Sequence, residues 1–118
     1  MTNASDLQML RDKLREFAEA RDWDQFHSPK NLNMALMVEV AELMEHFQWV
    51  TEEQSGSLTP DKKSVVAEEL ADILLYLVRL ADKLGVDLKD AALLKLEKNA
   101  LKYPADQVRG SAKKYSEY

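Results

Sequence analysis

The sequence contains no cysteine and only three glycines and three prolines among its 118 residues. The absence of cysteine excludes a disulfide framework, a thiolate zinc site and a cysteine nucleophile, and it is compatible with a reducing compartment. Glycine and proline interrupt regular structure, so their scarcity leaves long stretches free to form it. Leucine, alanine, glutamate and lysine dominate instead, and this composition favours helices.

From the sequence we expect neither a signal peptide nor a membrane-spanning helix. The N-terminus has no basic segment followed by an apolar run, so we expect no signal peptide. No window reaches the roughly 18 uninterrupted apolar residues that predict a transmembrane helix. The formal net charge is −5 and the pI is about 5.0, whereas a nucleic-acid groove binder is usually basic. We therefore expect a cytoplasmic protein that binds neither a membrane nor nucleic acid.

The length and the hydrophobic pattern predict one helical domain. A chain of this size is expected to form a single domain over residues 1–118, with a helical core at residues 6–103 and a polar tail at residues 104–118. Four helices are predicted at about residues 6–21, 29–47 or 49, 60–84 and 88–102, and the segments between them are predicted loops. The predicted N-caps are Ser5, Ser28, Thr59 and Asp87, and Gly85 ends the third helix. Short connections favour an all-α four-helix bundle.

The second and third predicted helices differ in how their polar residues are distributed. In the third helix the polar side chains between Glu68 and Lys83, Arg79 among them, fall within roughly 140° of arc, as expected for an amphipathic helix. The second helix carries apolar residues all round between Met34 and Phe47. Such a helix is expected to be buried, either within the bundle or by another subunit.

Acidic residues recur at the same spacing in these two hydrophobic helices. Glu39 and Glu42 lie one turn apart in VEVAELMEHFQW, and Glu69 and Asp72 repeat the spacing in EELADILLYLVRL. Residues three apart share one face of a helix, so two antiparallel helices would bring the four carboxylates together. Like charges in a partly desolvated site repel one another unless a cation binds them or some stay protonated. Oxygen ligands of this kind favour Mg²⁺, with Mn²⁺ as a substitute.

Other metals and a structural role are the alternatives. A di-iron bundle needs Glu-x-x-His repeats, and neither His27 nor His46 lies three residues after a glutamate. Zinc is disfavoured by the shortage of nitrogen and sulfur ligands. Paired carboxylates on a helix are most often solvated, and Glu69 and Asp72 lie on the polar arc of their helix. The pattern alone leaves a magnesium site and a solvated acidic face both open.

The carboxylate pairs and their flanking sequence resemble a known family. Glu39-x-x-Glu42, a gap of 26 residues and Glu69-x-x-Asp72 resemble the metal motif of the MazG-type all-α nucleoside triphosphate pyrophosphohydrolases. RDWDQFHSPKNL, FQW, EELADILLYLVRLA, VDL and RGSAKKY resemble the dCTP pyrophosphatase branch, so the similarity covers nearly the whole chain. This resemblance implies a four-helix bundle assembled as a homodimer or homotetramer, and Mg²⁺ bound by all four carboxylates.

The same resemblance implies where a nucleotide binds. By family analogy the base contacts come from Trp23, Phe26, His27, Trp49 and Tyr76. The two tryptophans are alternatively core or subunit-interface residues, and Tyr76 alternatively borders the core. Once a nucleotide is the substrate, His27 and Asn31 are candidates for hydrogen bonds to the base edge.

The remaining chemistry needs a proton acceptor and positive charge. Glu39 or Glu42 is a candidate to accept the proton of the attacking water, and His46 is expected beside these residues rather than as a metal ligand. For the phosphates the candidates are Lys95, Asn99 and Lys102, which share one face of the fourth helix, together with Lys30 and the tail residues Arg109, Lys113 and Lys114. A single lysine is most often a solvated surface charge, and the group beside an acidic site is what suggests phosphate binding.

These observations predict Mg²⁺-dependent hydrolysis of deoxynucleoside triphosphates, with a dCTP-like preference, in nucleotide-pool housekeeping. The alternatives within the superfamily are a broad-specificity MazG-like enzyme, a dUTPase-like enzyme and a phosphoribosyl-ATP pyrophosphatase. An alternative of a different class is a non-catalytic helical oligomerisation or binding module whose carboxylates are structural.

Overall fold

The computed structural model describes residues 5–112. Within that range all regular secondary structure is helical, and there is no β-strand. The helices are α1 (Asp6–Ala20), α2 (Pro29–Glu45), α3 (Glu52–Ser55), α4 (Pro60–Leu84), α5 (Leu88–Lys102) and α6 (Ala105–Val108), with a 3-10 turn at Asp24–Phe26 between α1 and α2. Backbone contacts divide the chain into two compact units, of which the first ends at Val86 and the second begins at Asp87. Lys113 and Lys114 lie outside the described residues.

The four long helices begin at the predicted capping residues. Ser5 and Gln8 form a reciprocal capping box at the start of α1, with N–H to oxygen distances of 2.9 and 3.2 Å. Ser28 and Thr59 each stand directly before the proline that opens α2 or α4. The hydroxyl oxygen of Ser28 accepts the backbone N–H of Asn31, and that of Thr59 accepts the backbone N–H of Lys62. Gly85 ends α4 with φ at 68°, in the left-handed region where a side chain is unfavourable.

The core of the first unit forms around α4, which packs against both α2 and α1. The buried apolar side chains are Ala18 on α1, Leu32 on α2, and Val66, Val78 and Ala81 on α4. These three α4 residues keep the helical spacing of one stripe, so burial of that stripe holds the other two helices in place. The two helices that carry the predicted carboxylate pairs are therefore direct neighbours.

Three boundaries differ from the sequence predictions. α2 ends at Glu45, before the predicted end at residue 47 or 49, and turns follow it. The predicted loop after it contains α3, because Thr51 and Gln54 form a second capping box. The polar tail contains the short helix α6. At its start the carbonyl oxygen of Pro104 accepts hydrogen bonds from the N–H groups of Gln107 and Val108, at N···O distances of 3.0 and 3.1 Å.

The apolar surface of α2 is only partly covered within the chain. Met34, Met37 and Met44 are 58%, 62% and 58% exposed, so the expectation that this helix is buried on all sides does not hold for the chain by itself. The physical reason is that α4 covers one side of α2 and leaves the methionine side in solvent. Among the described helices, none combines the length and the apolar character needed to cross a membrane.

Candidate metal centre and adjoining cavity

Three of the four predicted carboxylates converge between α2 and α4. Glu39, Glu69 and Asp72 each place one carboxylate oxygen within 4.8 Å of the others, and we call these three residues the acidic cluster. Glu39 comes from α2, and the other two lie one turn apart on α4, so the packing of the two helices creates the group. Glu42 is exposed and lies beside Glu39 without joining the three.

Two oxygens of the acidic cluster have no hydrogen-bond partner in the described structure. Oε2 of Glu39 and Oε2 of Glu69 are both buried and unsatisfied. The other oxygen of Glu69 lies 3.8 Å from Nε2 of His46, which places His46 beside the cluster as expected. Buried carboxylate oxygens without donors are costly, so they indicate a site that is completed by something outside the chain.

The crowding of negative charge changes the acidity of Glu39. Its pKa is raised from 4.5 to about 7, first by burial and then by the negative charge of Glu42 and hydrogen bonding to it, with smaller contributions from Asp72 and Glu69. At neutral pH this carboxyl group is therefore close to half-protonated in the metal-free chain. A cation at the cluster would offset the same repulsion and favour the carboxylate form.

The donor set fits a hard divalent cation. All three side chains offer oxygen, the ligand that Mg²⁺ and Mn²⁺ prefer, and His46 is the only described nitrogen ligand paired with one of them. The two buried, unpartnered oxygens are the observation that supports this fit. The cluster does not supply the nitrogen and sulfur ligands typical of structural zinc.

An aromatic cavity adjoins the acidic cluster. Its volume is about 230 Å³, and its walls come from α1, the 3-10 turn region, α2 and α4. The lining residues are Leu14, Phe17, Ala18, Trp23, His27, Leu32, Asp72, Leu75, Tyr76 and Arg79. Asp72 belongs to both the cavity wall and the acidic cluster, so a molecule in this cavity lies next to the carboxylates.

Three rings form one side of this aromatic cavity. The Trp23 ring meets Phe17 edge-on, with centroids 5.8 Å apart and an interplanar angle of 69°, and it meets His27 at 6.4 Å and 64°. Trp23 remains 45% exposed, so its ring is supported from one side and accessible from the other. An arrangement of this kind can stack a flat heterocycle.

Behind the cavity, five charged residues form what we call the ion-pair network. It consists of Arg15 on α1, Asp24 in the 3-10 turn, and Arg79, Asp82 and Lys83 on α4. Nη2 of Arg79 lies 2.7 Å from Asp24, and Arg15 forms a two-pronged contact of 2.5 and 2.7 Å with Asp82. Lys83 also contacts Asp24. The network fastens α1 and the 3-10 turn onto α4.

The ion-pair network also sets the charge state of its members. The contact with Lys83, above all, lowers the pKa of Asp24, and the contact with Arg15 lowers that of Asp82. His27 receives a hydrogen bond from Nε of Arg79 at 3.1 Å. Burial, followed by the positive charges of Arg79 and Lys83, lowers the pKa of His27, so this imidazole is neutral at pH 7.

Arg79 is the site residue that the sequence prediction missed. It was expected on the polar arc of α4, but it is buried, with a side chain that is only 7% exposed. The reason is that Asp24 and His27 from the 3-10 turn region, and Asp82 from α4 itself, lie around its guanidinium group. The only local signal is that Arg79 is the sole basic residue between Lys63 and Lys83 and has apolar neighbours on both sides.

The structure brings some of the predicted substrate-binding residues together and not others. Trp23, His27 and Tyr76 line the aromatic cavity. Phe26 is 60% exposed on the 3-10 turn, and its carbonyl oxygen accepts a hydrogen bond from the amide of Asn31 at 3.1 Å. Two further predicted residues of the first unit do not line it, since Lys30 is exposed and Trp49 is 88% exposed. Lys95, Asn99 and Lys102 lie on α5 in the second unit. Their binding roles stay predictions.

Comparison with known proteins identifies a family and several similar proteins. A profile of the MazG-like family matches residues 34–118. The chain is 47% identical to dCTP pyrophosphatase 1 of Bos taurus and 46% identical to that of Homo sapiens, over 94% of this chain and 67% and 66% of those proteins. A crystal structure of a pyrophosphatase from Archaeoglobus fulgidus matches with a TM-score of 0.81 at 39% identity, covering 88% of this chain and 97% of that one.

Proposed function

The chain belongs to the MazG-like family, and on that premise we propose that it hydrolyses deoxynucleoside triphosphates, with a preference for dCTP, to the monophosphate and pyrophosphate. The family resemblance predicted from the carboxylate motif is confirmed, and so is the all-α fold. The mammalian relatives that match almost the whole chain are named for the same reaction. The chain is accordingly a nucleotide pyrophosphohydrolase, and nucleotide-pool housekeeping is the role that follows from this reaction.

The position of Asp72 is the observation that carries the proposal. One carboxylate serves both the acidic cluster and the wall of the aromatic cavity. A nucleotide whose base occupies the cavity would therefore place its phosphates towards the cluster. The volume of about 230 Å³ is smaller than the pockets of about 300–1,000 Å³ that enclose drug-sized ligands, and it suits one part of a nucleotide, such as the base.

Glu39, Glu69 and Asp72, with Glu42 beside them, would hold Mg²⁺ or Mn²⁺. When bound, such an ion neutralises the charge on the phosphate oxygens and polarises the bond that is attacked. Glu39 and Glu42 are the candidates to accept the proton of the attacking water. Both side chains are carboxylates next to the expected ion position, which is the placement that a proton acceptor for this water needs.

The cavity residues would bind and orient the base. Trp23 offers a ring face for stacking, and Tyr76 and His27 offer polar atoms at the cavity wall. Stacking accepts any base, so selectivity depends on hydrogen bonds to the base edge. Because those bonds form in a partly buried site, a base with the wrong pattern leaves polar groups unpaired and binds more weakly.

The uncovered methionine surface of α2 supports an assembly of two or four copies of the chain. Met34, Met37 and Met44 are each more than half exposed, and Val38 adds to the same apolar surface at 56%. Large exposed apolar surfaces on a folded chain usually mark an interface. We therefore propose a homodimer or homotetramer. A cytoplasmic location is a separate part of the proposal.

The test is a substrate screen with the purified protein. Each of the common deoxynucleoside triphosphates is incubated with Mg²⁺, with Mn²⁺ or with EDTA, and the reaction is stopped by heat. Excess Mg²⁺ is then added to every sample, and malachite green measures phosphate with and without added inorganic pyrophosphatase. We expect a signal from dCTP that requires both the divalent ion and the coupling enzyme, because the primary product is pyrophosphate. Release from none of the nucleotides would favour the non-catalytic helical module.

Variants of the acidic cluster separate catalysis from folding. Glu39→Ala and Asp72→Ala are expected to abolish turnover and leave the helical circular dichroism signal nearly unchanged, because loss of one charge relieves the repulsion in the cluster. If these variants unfold instead, the carboxylates are structural and the proposal loses its metal site.

A further inference from the structure

Each of the three nitrogens of the Arg79 guanidinium lies within 4.0 Å of a group of the chain itself, and two of them donate hydrogen bonds. Nη2 contacts Asp24 at 2.7 Å, Nη1 lies 3.6 Å from Asp82, and Nε donates to Nδ1 of His27 at 3.1 Å. The side chain is only 7% exposed although it lines the cavity. The guanidinium is therefore engaged within the chain, and Arg79 can act on a ligand through the groups that it holds.

The bond to His27 determines where the imidazole carries its proton. Arginine stays protonated in proteins and acts only as a donor, so Nδ1 of His27 must offer its lone pair. A neutral imidazole has one proton, which then resides on Nε2. The lowered pKa of His27 agrees with a neutral ring, and the groups around it are Asp24 from its own segment and Arg79 and Lys83 from α4. With Nδ1 occupied, Nε2 is the ring nitrogen left for the cavity.

We propose that Arg79 is a positioning residue that holds His27 as a fixed Nε2–H donor in the aromatic cavity, where it selects a base with an unprotonated ring nitrogen. This inference rests on the proposed function. Cytosine presents an unprotonated N3 flanked by a carbonyl oxygen, whereas N3 of uracil and thymine carries a hydrogen. A donor fixed opposite N3 therefore favours cytosine, because two facing donors leave both unpaired.

The first experiment reads the tautomer without any substrate. Long-range proton–nitrogen correlation spectra of the ¹⁵N-labelled protein distinguish the two ring nitrogens, and the chain has only two histidines, so the spectrum of His46→Gln assigns His27. We expect Nε2 protonated and Nδ1 unprotonated in the unmodified protein. Arg79→Lys should give a mixture of tautomers, because a single ammonium can keep the ion pair with Asp24 but lacks the second prong.

A matched control removes a different cation from the same carboxylate. Lys83→Gln deletes the other contact of Asp24 and leaves the bond from Arg79 to His27, so the tautomer should stay unchanged. A proton on Nδ1 in the unmodified protein overturns the proposal, and so does a His27 spectrum that Arg79→Lys does not alter. The spectrum of the unmodified protein decides even if the Arg79 variants fail to fold.

The second experiment uses a double-mutant cycle with His27→Gln, whose side-chain amide can donate from the Nε2 position without help from arginine. In the unmodified background Arg79→Lys should raise KM for dCTP about tenfold with little change in kcat, and change KM for dUTP by less than about twofold. In the His27→Gln background the same substitution should raise KM for dCTP by less than about twofold.

The outcomes separate this inference from the proposed function. An equal rise of KM in both backgrounds, or for both nucleotides, shows that Arg79 acts through general packing and overturns the positioning role. If the unmodified protein hydrolyses no deoxynucleoside triphosphate, the proposed function fails, and the nuclear magnetic resonance experiment still decides whether Arg79 fixes the tautomer of His27.

Discussion

Two groups of charged side chains that meet at α4 flank the same cavity and differ in whether their charges have partners. In the acidic cluster, Oε2 of Glu39 and Oε2 of Glu69 are buried without a donor. In the ion-pair network, Asp24 and Asp82 each have two cationic partners within 4.0 Å. Burial and the negative charge of Glu42, with smaller contributions from the cluster, raise the pKa of Glu39 to about 7, and the network lowers the pKa of its two aspartates.

The difference separates charges that are paired within the fold from carboxylates that are available to a ligand. Paired charges in a partly buried position hold the segments that carry them, because removal of one partner leaves the other uncompensated. Unpaired carboxylates weaken the fold of the metal-free chain and persist only where a ligand completes them. Each prediction below can break or sharpen this contrast between the two groups.

The largest expected effect is on catalysis at the acidic cluster. Glu69→Gln should lower kcat/KM for dCTP about a thousandfold, equivalent to about 4 kcal/mol of lost transition-state stabilisation. Glu68→Gln is the matched control, since the same change at the adjacent exposed position should leave kcat/KM nearly unaltered. Equal losses in the two variants would contradict the assignment of the cluster as the metal site.

The next largest effect is on stability at the ion-pair network. Arg79→Met should lower the free energy of unfolding by about 2 kcal/mol, below the usual cost of breaking a buried pair, because Asp24 is partly exposed and Asp82 keeps Arg15. Lys63→Met, on the exposed start of the same helix, should change it by less than about 0.5 kcal/mol. Urea titration followed by circular dichroism measures both. A more stable Arg79→Met variant would show that the network does not serve the fold.

A smaller effect on KM is expected at the two tryptophans. Trp23→Ala should raise KM for dCTP about tenfold, because it removes the ring face at the cavity. Trp49→Ala should also raise KM more than it lowers kcat, but by less, since the side chain is 88% exposed and does not line the cavity. Steady-state kinetics decide both, and an unchanged KM would remove the residue concerned from the site.

The smallest effect is a pH slope in the metal-free protein. The pKa of Glu39 is raised from 4.5 to about 7 in the folded chain, so between these values the folded state keeps a proton that the unfolded state has lost. The unfolded state binds fewer protons, and the free energy of unfolding should fall as pH rises through this window. Glu39→Gln should flatten that part of the curve, whereas Glu45→Gln at the exposed end of α2 should keep it. Urea titrations in EDTA across the window test this prediction.

Local signals in the sequence predicted the helices because the chemistry of a helix start is local. Ser28 with Pro29, and Thr59 with Pro60, satisfy and pre-organise the first turn within a few residues. A capping signal of the same kind is present at Thr51 and Gln54. The segment is nevertheless predicted as a loop, because it is polar and contains Gly56. The early end of α2 had no such signal, since no glycine or proline follows Glu45 directly.

The candidate site was predicted in part, and the missing part has a common cause. The spacing of Glu39, Glu69 and Asp72 on two helices indicated their convergence. The burial of Arg79 could not be predicted in this way, because its partners Asp24 and His27 lie 55 and 52 positions away in the chain. A polar residue on a polar arc is normally solvated, and only the position of the 3-10 turn against α4 reverses that expectation.

The sequence by itself determined the helical class, the starts of the long helices and the face on which each carboxylate pair lies, because helical periodicity and capping depend on near neighbours. Only the tertiary structure decided that Glu42 stands beside the three converging carboxylates, that Asp72 also lines the cavity, and that Arg79 is buried. These outcomes depend on how α1, α2 and α4 cross and in what register, and that arrangement is set by packing between segments far apart in the chain.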